Sequence, residues 1–536
     1  MKIQSIPVAL LVLVTAPAYA AETDSTLRFY NRTEFLVQSV TGAGKAQSFY
    51  DPGSHLFHET DILATNGLGS SWNSLFNATV RYTDSRQYDP DNLSLQRIQW
   101  QISDAQTQIN LGDYFAVFSP YAMTKGIKGV AFQRNFSNDQ NYVRATYGSF
   151  DGQWSYLFRN SQNEPMDRFG GGFRLQQAGE DWRVGANLVQ AADRFGDPNR
   201  RTLDAYRQIL PAVDWEWRNG GWLVTGDHAY SDTKISRADG SQDNVSGSAN
   251  RVAFRSSIRT FNFDGLVERV DPRFVTLGGG ATPDRMRYML RGDWRMSALW
   301  RFNGMTDYYY NNLDGQIATR TTVTSLDLGA TRRRVFERKN SSLSVGVKTR
   351  GVKTQNDTTD ARTDRLKLRY KDRYLDDVLD FSLGWEKTLQ DERKGTAPGE
   401  LASYLYDISL GMRANVSKNW LLRGNLDFGR MENQNPTTGS FDAMDTVRLA
   451  LTAEGVAGTQ FGASIDYGNN RLTIANASSR VDRYMLFWQT QPAWTGGGLL
   501  RAELADNNYQ FDDSNKNFRE HLLRLVLNWN LDVVPR

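Results

Sequence analysis

The sequence predicts an all-β protein whose strands form a closed, antiparallel, up-and-down barrel. The predicted number of strands is about 26, within a range of 24 to 28. Three observations support this fold class. Apolar and polar residues alternate along most of the chain, long and short polar breaks alternate between the strands, and no segment after residue 20 has a helical period. A meander of this length must close on itself, because no helices exist to cover its two edges.

The clearest example of the alternation is the hairpin at residues 402–430. Its first strand has apolar residues at the even positions from Tyr404 to Met412, and its second has apolar or small residues at the even positions from Leu422 to Phe428. Polar residues occupy most of the positions between them. Since side chains of a strand point to opposite faces in turn, the hairpin has one apolar face and one charged face.

The same pattern gives 27 candidate strands over the whole chain. An odd number conflicts with a barrel whose two termini lie on the same side of a membrane. The alternation of long and short breaks holds from the first strand to Phe136 and, counted backwards, from the last strand to about Phe173. The error therefore lies between Asn141 and Gln177, where the candidates are 141–149, 153–160 and 170–177.

Residues 1–20 have the form of a secretory signal. Lys2 precedes an apolar run at residues 8–14, and Ala18-Tyr19-Ala20 forms a small-x-small cleavage site. The alternative, a membrane anchor, would need an apolar run of roughly 20 residues. We therefore expect Sec-dependent export, removal of residues 1–20, and one barrel domain over residues 21–536.

Composition excludes several classes of function. The chain has no cysteine, which rules out disulfides, thiolate metal sites and covalent haem. Its 63 basic and 60 acidic residues are spread evenly, and this balance does not favour a nucleic-acid partner. The four histidines form no recognisable catalytic or metal-binding pattern. We expect no catalytic residues, no metal, no cofactor and no enzyme activity.

Over residues 21–536 the chain resembles Gram-negative outer-membrane β-barrels of the large porin-like or conduit kind. The last strand, Leu523–Leu531, is similar to the C-terminal signal of these barrels, although residues 532–536 follow it and it does not end on an aromatic residue. Residues 111–115, together with 118–120 and 128–130, resemble Gly-Asp turns of large barrels. The resemblance implies an outer-membrane location, contact with lipid, and assembly by the barrel-assembly machinery.

In a barrel of this kind the apolar faces contact lipid and the charged faces line a water-filled lumen. Tryptophan near the strand ends fits this arrangement, because aromatic rings collect at membrane interfaces. A dry core on the charged side would cost several kcal/mol for each buried charge. The expected lumen-lining residues are Arg28, Arg32, Glu34, Arg285, Arg287, Arg291, Asp293, Arg295, Arg365, Lys367, Arg369, Asp407, Arg413, Arg423 and Asp427.

A lumen this wide would leak unless something narrowed it. Two loops are candidates to fold inward, residues 115–126 and residues 271–283 with the Gly278-Gly279-Gly280 run, although either loop could instead be exposed. The side chains expected at the constriction are Phe115, Phe118, Tyr121 and Lys125.

Three functional hypotheses remain, of which a barrel-borne enzyme is the one that the residues do not favour. The sequence predicts a porin-like transmembrane channel with a charged lumen. The alternative is a sheath that encloses a separate lumen-filling partner, such as a periplasmic multihaem cytochrome or a polymer-export component.

Overall fold

The computed structural model describes residues 25–69, 71–136, 140–150, 154, 167–194, 203–356, 358–394, 399–474 and 477–533. The predicted signal sequence lies outside these residues. The described part of the chain forms a single antiparallel sheet of 26 strands, and its first and last strands pair with each other to close the ring. The strands are β1 (Thr26–Thr41), β2 (Gly53–Leu68), β3 (Trp72–Thr83), β4 (Leu93–Ser103), β5 (Thr107–Val117), β6 (Thr124–Asn135), β7 (Tyr142–Ser149), β8 (Asp167–Ala178), β9 (Trp182–Arg194), β10 (Ala205–Asn219), β11 (Trp222–Ser236), β12 (Gln242–Ile258), β13 (Phe261–Val270), β14 (Arg285–Trp294), β15 (Trp300–Tyr310), β16 (Thr321–Arg333), β17 (Ser342–Thr354), β18 (Asp360–Tyr374), β19 (Leu379–Lys394), β20 (Gly399–Ser417), β21 (Trp420–Gln434), β22 (Phe441–Glu454), β23 (Gln460–Arg471), β24 (Ser479–Thr490), β25 (Leu500–Phe511) and β26 (Phe518–Val533).

The strand order confirms the predicted closed meander and locates the counting error. Strand β7 pairs directly with β8, so no strand lies between them in the sheet. The candidate strand at residues 153–160 therefore has no place between these two strands of the sheet. Apart from Trp154, that candidate lies outside the described residues. None of the helices in the described ranges is long and apolar enough to cross a membrane.

The register divides the side chains between two faces of the sheet. One face, called here the apolar face, carries Leu410, Leu426, Leu449 and Ile465 directly opposite one another on four successive strands. Each of these side chains is 39–45% exposed. A continuous belt of exposed large apolar residues is incompatible with water on that side and matches the lipid-facing surface of a membrane barrel. The opposite face is called the polar face.

Two aromatic belts border the apolar face. Tryptophans lie where the turns are mostly short, as with Trp222 at the start of β11 and Trp300 at the start of β15. Tyrosines lie toward the other end, and Tyr230 and Tyr308 follow those tryptophans by eight residues. At about 3.3 Å per residue the belts are roughly 26 Å apart along the strand. This is close to the height of an outer-membrane apolar band, about 25 Å.

The strands extend further than the sequence predicts at the end where the long connections lie. Residues 231–246 form one of the long polar breaks in the sequence, but β11 continues to Ser236 and β12 begins at Gln242. Beyond the apolar band both faces of a strand meet water, so the polar–apolar alternation disappears although the hydrogen-bonded ladder continues. Loop lengths predicted from polarity are therefore too long at this end.

The ladder between β4 and β5 is short. Only five residue pairs join the strands, from Gln99 opposite Gly112 to Ser103 opposite Gln108. Beyond Gly112 the strands separate, and the carboxylate of Asp113 accepts a hydrogen bond from the backbone N–H of Ile98 at 2.7 Å. Lys128 pairs with the same carboxylate at 2.5 Å. A side chain thus replaces the strand–strand bond at the point of separation.

The two faces predict opposite responses to a new carboxylate. Leu410→Asp or Leu426→Asp places a charge on the apolar face and should weaken folding into lipid vesicles by up to about 2 kcal/mol each. Urea titration of folding, followed by the heat-dependent gel shift of the folded barrel, measures this loss. The matched control is Ser344→Asp on the polar face, opposite Arg369, which should fold normally. Equal losses for both kinds of variant would refute the assignment of the faces.

Candidate functional site

Two connections fold back onto the polar face and pack together. Residues 118–123 join β5 to β6, and residues 271–284 join β13 to β14. We call them the first and second docked loops. Tyr121, Met123 and Phe274 are each almost completely buried, with at most 1% exposed. Burying a large side chain contributes about 1.5–3 kcal/mol, so these contacts hold the loops against the wall.

The first docked loop is held by two carboxylates of the wall. Asp227 on β11 accepts a hydrogen bond from the backbone N–H of Tyr121 at 3.2 Å. The Tyr121 hydroxyl donates to Glu268 on β13 at 2.8 Å, and Arg285 on β14 pairs with the other oxygen of Glu268 at 2.6 Å. Burial and the neighbouring Glu268 raise the pKa of Tyr121 above its ordinary value, so the hydroxyl remains a donor at neutral pH.

An arginine fixes the start of the same loop. Arg174 on β8 donates to the carbonyl oxygen of Phe118 at 2.7 Å. Its guanidinium also makes a two-pronged pair with Asp214 on β10, at 2.6 and 2.9 Å. A planar guanidinium satisfies a carboxylate and a carbonyl together, which permits a charge at 3% exposure. Three elements far apart in sequence therefore meet at Arg174.

The second docked loop is held by side-chain amide and hydroxyl groups. Gln208 on β10 donates to the carbonyl oxygen of Val275 at 2.6 Å and accepts from the N–H of Leu277 at 3.0 Å. Ser231 on β11 accepts from the N–H of Val275 at 3.1 Å. Backbone groups of a buried loop need partners, and these two side chains supply them where no strand runs alongside.

The two docked loops also bind each other. Thr276 donates its hydroxyl to the carbonyl oxygen of Tyr121 at 2.8 Å, and the N–H of Gly280 donates to Pro120 at 2.9 Å. The rings of Tyr121 and Phe274 meet edge to face, with centroids 5.9 Å apart. The loops therefore form one unit.

The wall beneath the docked loops consists largely of small or aliphatic residues. On the polar face of β9 to β13, where other strands carry charges, these positions form the core that contacts the loops. Alternation identifies the face but not what covers it, so sequence reasoning missed this platform. A run of small residues at polar-face positions was the available signal: Val189, Ala191, Leu210, Ala212, Ala229, Ala249 and Val270.

The charged residues predicted to line a lumen lie on the polar face, except Arg295, which follows β14 in a turn. Most of them are neutralised by carboxylates. Examples are Arg287 with Asp307 at 2.8 Å, and Arg365 with Glu386 at 3.1 Å. Other ion pairs made by the predicted residues run along the same face: Arg28 with Asp532, Arg32 with Glu34, Arg285 with Glu268, Arg301 with Asp293, Lys367 with Glu386, Arg369 with Asp407, and Arg423 with Glu454.

The predicted constriction residues divide into two groups. Phe118 and Tyr121 lie in the first docked loop and are buried there. Phe115 lies in β5 instead, 66% exposed, and Lys125 lies in β6 opposite Ala116. The expected loop at residues 115–126 is therefore too long, because its ends continue the strand ladder. Phe115 belongs to the apolar face and not to the constriction.

These features define the class of protein. In the closed antiparallel sheet each strand pairs with a neighbour on both sides over most of its length, so the sheet has no free edge. The sheet also has an exposed apolar face and two aromatic belts. It is the architecture that satisfies every backbone group within a bilayer. The described part of the chain is a closed, membrane-spanning β-barrel.

Comparison with known proteins finds likeness only at the level of solved structures. No protein-family model matches the chain, and no curated protein matches it. A BenF-like porin from Pseudomonas fluorescens Pf-5 aligns with 95% of this chain and 99% of its own at 10% identity and a TM-score of 0.32. The translocation pore of the P pilus usher PapC aligns with 95% and 100%, at 9% identity and a TM-score of 0.33.

A third structure, OccK5 (OpdH) of Pseudomonas aeruginosa, aligns with 67% of this chain and 98% of its own at 12% identity and a TM-score of 0.33. At such scores the likeness supports no inference about substrate or residue roles. The expectation that the barrel is not an enzyme stays a prediction.

The contact between the docked loops predicts a sharp difference between neighbouring glycines. A Cβ added at Gly279 would lie 2.2 Å from the carbonyl oxygen of Tyr121, whereas one at Gly280 would have no atom within 4 Å. Gly279→Ala should therefore loosen the docked loops, at a cost of about 1–3 kcal/mol. Gly280→Ala is the control.

Hydrogen exchange followed by mass spectrometry over residues 116–124, in detergent or nanodiscs, measures the loosening. Faster exchange is expected in Gly279→Ala alone. Unchanged exchange in that variant would show that the two loops are not held together by this contact.

Proposed function

We propose that the protein is a transmembrane conduit whose polar face lines a water-filled lumen, partly occluded by the docked loops. The observation that carries the proposal is the separation of apolar from charged residues on the two faces of a closed ring. The apolar residues share one face, and the ladders of arginine and carboxylate share the other. Charged groups half exposed in a membrane-spanning sheet require water on their side.

The ladders set the field that a permeating solute would meet. Because most arginines have a carboxylate partner, the lumen would be mixed in sign and not strongly selective by bulk charge. Arg291 and Arg413 differ, since the described residues give neither of them an ion-pair partner. Uncompensated cations of this kind would favour anions near them.

The sheath function remains a second candidate because of the size of the ring. The docked loops contact the wall from β8 to β13, where the buried apolar cluster lies, whereas the connection after β1 meets β25 and β26 through polar contacts such as Ser48 with Glu520 at 2.6 Å. Barrels of about 22 strands already carry a plug. A separate protein or polymer would fit the remaining space.

Location and assembly belong to the same proposal. The predicted signal at residues 1–20 supports Sec export, and the alternating last strand, which pairs with β1, supports insertion by the barrel-assembly machinery. Outer-membrane lipid would then surround the apolar face.

Conductance separates the two functions. Purified protein in a planar lipid bilayer should conduct ions without any added component if it is a conduit. A silent bilayer, together with a folded barrel shown by the heat-dependent gel shift, would contradict the conduit and favour a sheath closed by a partner.

Charge reversal of Arg291 predicts the direction of selectivity. If the unmodified protein conducts, Arg291→Glu should raise its potassium-to-chloride permeability ratio about twofold. The substitution replaces an unpaired cation of the polar face by an anion. Reversal potentials under a salt gradient measure the ratio. Reversing Arg285, Arg287 and Arg291 together should shift it further, but Arg285 and Arg287 are ion-paired, so the single variant is the cleaner experiment. Leu290→Gln, on the apolar face of the same strand, is the control and should leave selectivity unchanged.

A further inference from the structure

A cavity of about 500 Å³ lies where the first docked loop meets the polar face of β7 to β12. This volume is typical of sites for small molecules. Four arginines line it, one on each of four strands, and two aspartates lie among them. The lining charges are Arg144, Arg174, Arg183, Arg251, Asp214 and Asp227.

Two of the arginines are neutralised within the wall. Arg174 pairs with Asp214 at 2.6 Å, and Arg183 pairs with Glu216 at 2.8 Å. Their positive charge is therefore already matched, and their geometry is fixed by the pairing. They form the frame of the cavity.

The other two arginines are not neutralised. Arg144 donates to the side-chain oxygen of Gln133 at 2.8 Å and to the carbonyl oxygen of Val117 at 3.2 Å, which are both uncharged acceptors. Arg251 lies opposite Asp227 in the register of β11 and β12, yet no carboxylate of the described residues comes within ion-pair distance of it. The cavity thus has two guanidinium groups without a carboxylate partner, and Arg251 is the one that lies beside Asp227.

Asp227 lines the same cavity, and one of its oxygen atoms lacks a well-formed hydrogen bond. Asp227 is only 4% exposed, and its Oδ2 atom accepts from the N–H of Tyr121. Its Oδ1 atom is buried and makes no hydrogen bond of standard geometry among the described residues, although the Ser119 hydroxyl lies near the carboxylate. Buried carboxylate oxygens without partners are rare because their desolvation is uncompensated, so this atom marks a position for a donor.

We propose that this cavity binds a small carboxylate that also carries a hydroxyl or amino donor. The ligand carboxylate would bind Arg251, which lies opposite Asp227 in the register of β11 and β12, and its donor would bind Asp227. Arg251 alone would accept any anion, whereas the aspartate repels anions that offer no donor. The proposal rests on the conduit function in one respect, since the solute reaches the cavity through the lumen.

Three six-carbon probes separate binding of the carboxylate by arginine from binding of the donor by Asp227. Gluconate carries a carboxylate and hydroxyl donors, hexanoate carries only the carboxylate, and sorbitol carries only hydroxyls. Isothermal titration calorimetry on the full barrel in nanodiscs should show gluconate binding at least about tenfold more tightly than either other probe. Equal affinity for gluconate and hexanoate, or no binding of gluconate, would overturn the proposal.

Isosteric variants assign the binding to this cavity. Arg251→Gln and Asp227→Asn should each weaken gluconate about tenfold, and Asp227→Asn should also reduce the preference for gluconate over hexanoate. Arg413→Gln, at an unpaired arginine on distant β20, is the control and should bind as the unmodified protein does. Gluconate affinity that survives in both cavity variants would place the site elsewhere and reject the proposal.

Failure of the proposed binding site can be distinguished from failure of the proposed conduit function. Ion conductance without gluconate binding refutes this site and leaves the conduit in place. Gluconate binding that depends on Arg251 and Asp227, in a barrel that does not conduct, retains the site and refutes the conduit. The gel shift of each variant shows whether it has folded.

Discussion

The structure depends on closure of the backbone hydrogen-bond ring. Inside a bilayer no water is available to an unpaired N–H or carbonyl group, and each such group costs several kcal/mol. Strands β1 and β26 meet this requirement through a ladder from Leu27 opposite Val533 to Thr41 opposite Arg519. Side chains reinforce it, since Arg524 pairs with Glu34 at 2.7 Å across 490 positions of sequence. The even number of strands follows from this closure.

Once the ring is closed, the side chains of its polar face are either covered by docked loops or paired with opposite charges. From β9 to β13 the wall has small side chains such as Ala212 and Ala229, which leave room for the docked loops. Elsewhere, as on β18, Arg365 and Lys367 reach the carboxylate of Glu386 on the neighbouring strand β19. A loop needs space and isolated hydrogen-bonding groups, whereas an uncovered wall needs paired charges. Composition along the polar face therefore reports which part is covered.

Much of the fold was predictable because it depends on local periodicity. The assignment of Leu410 and Arg365 to opposite faces needs only a period of two, and parity with the alternation of loop lengths located the counting error between Asn141 and Gln177. The docked loops were less accessible. Tyr121 finds its partners 106 and 147 residues away, and no local pattern encodes contacts of that range.

Other misses have equally physical causes. The Gly278-Gly279-Gly280 run was visible in the sequence, but the need for glycine at Gly279 comes from the backbone of Tyr121, which only the folded chain brings near. The cavity beside the first docked loop was missed for the same reason. Arg251 and Asp227 are ordinary members of two alternating strands until the loop covers them.

The short ladder between β4 and β5 bears on how the ring would fail. A closed sheet opens only when one ladder breaks along its whole length, so its resistance to rupture is set by the ladder with the fewest bonds. Five pairs join β4 to β5, against fifteen between β1 and β26. Tearing under load would therefore start beside Gly112, and the chain termini, where most open sheets fray first, would separate late.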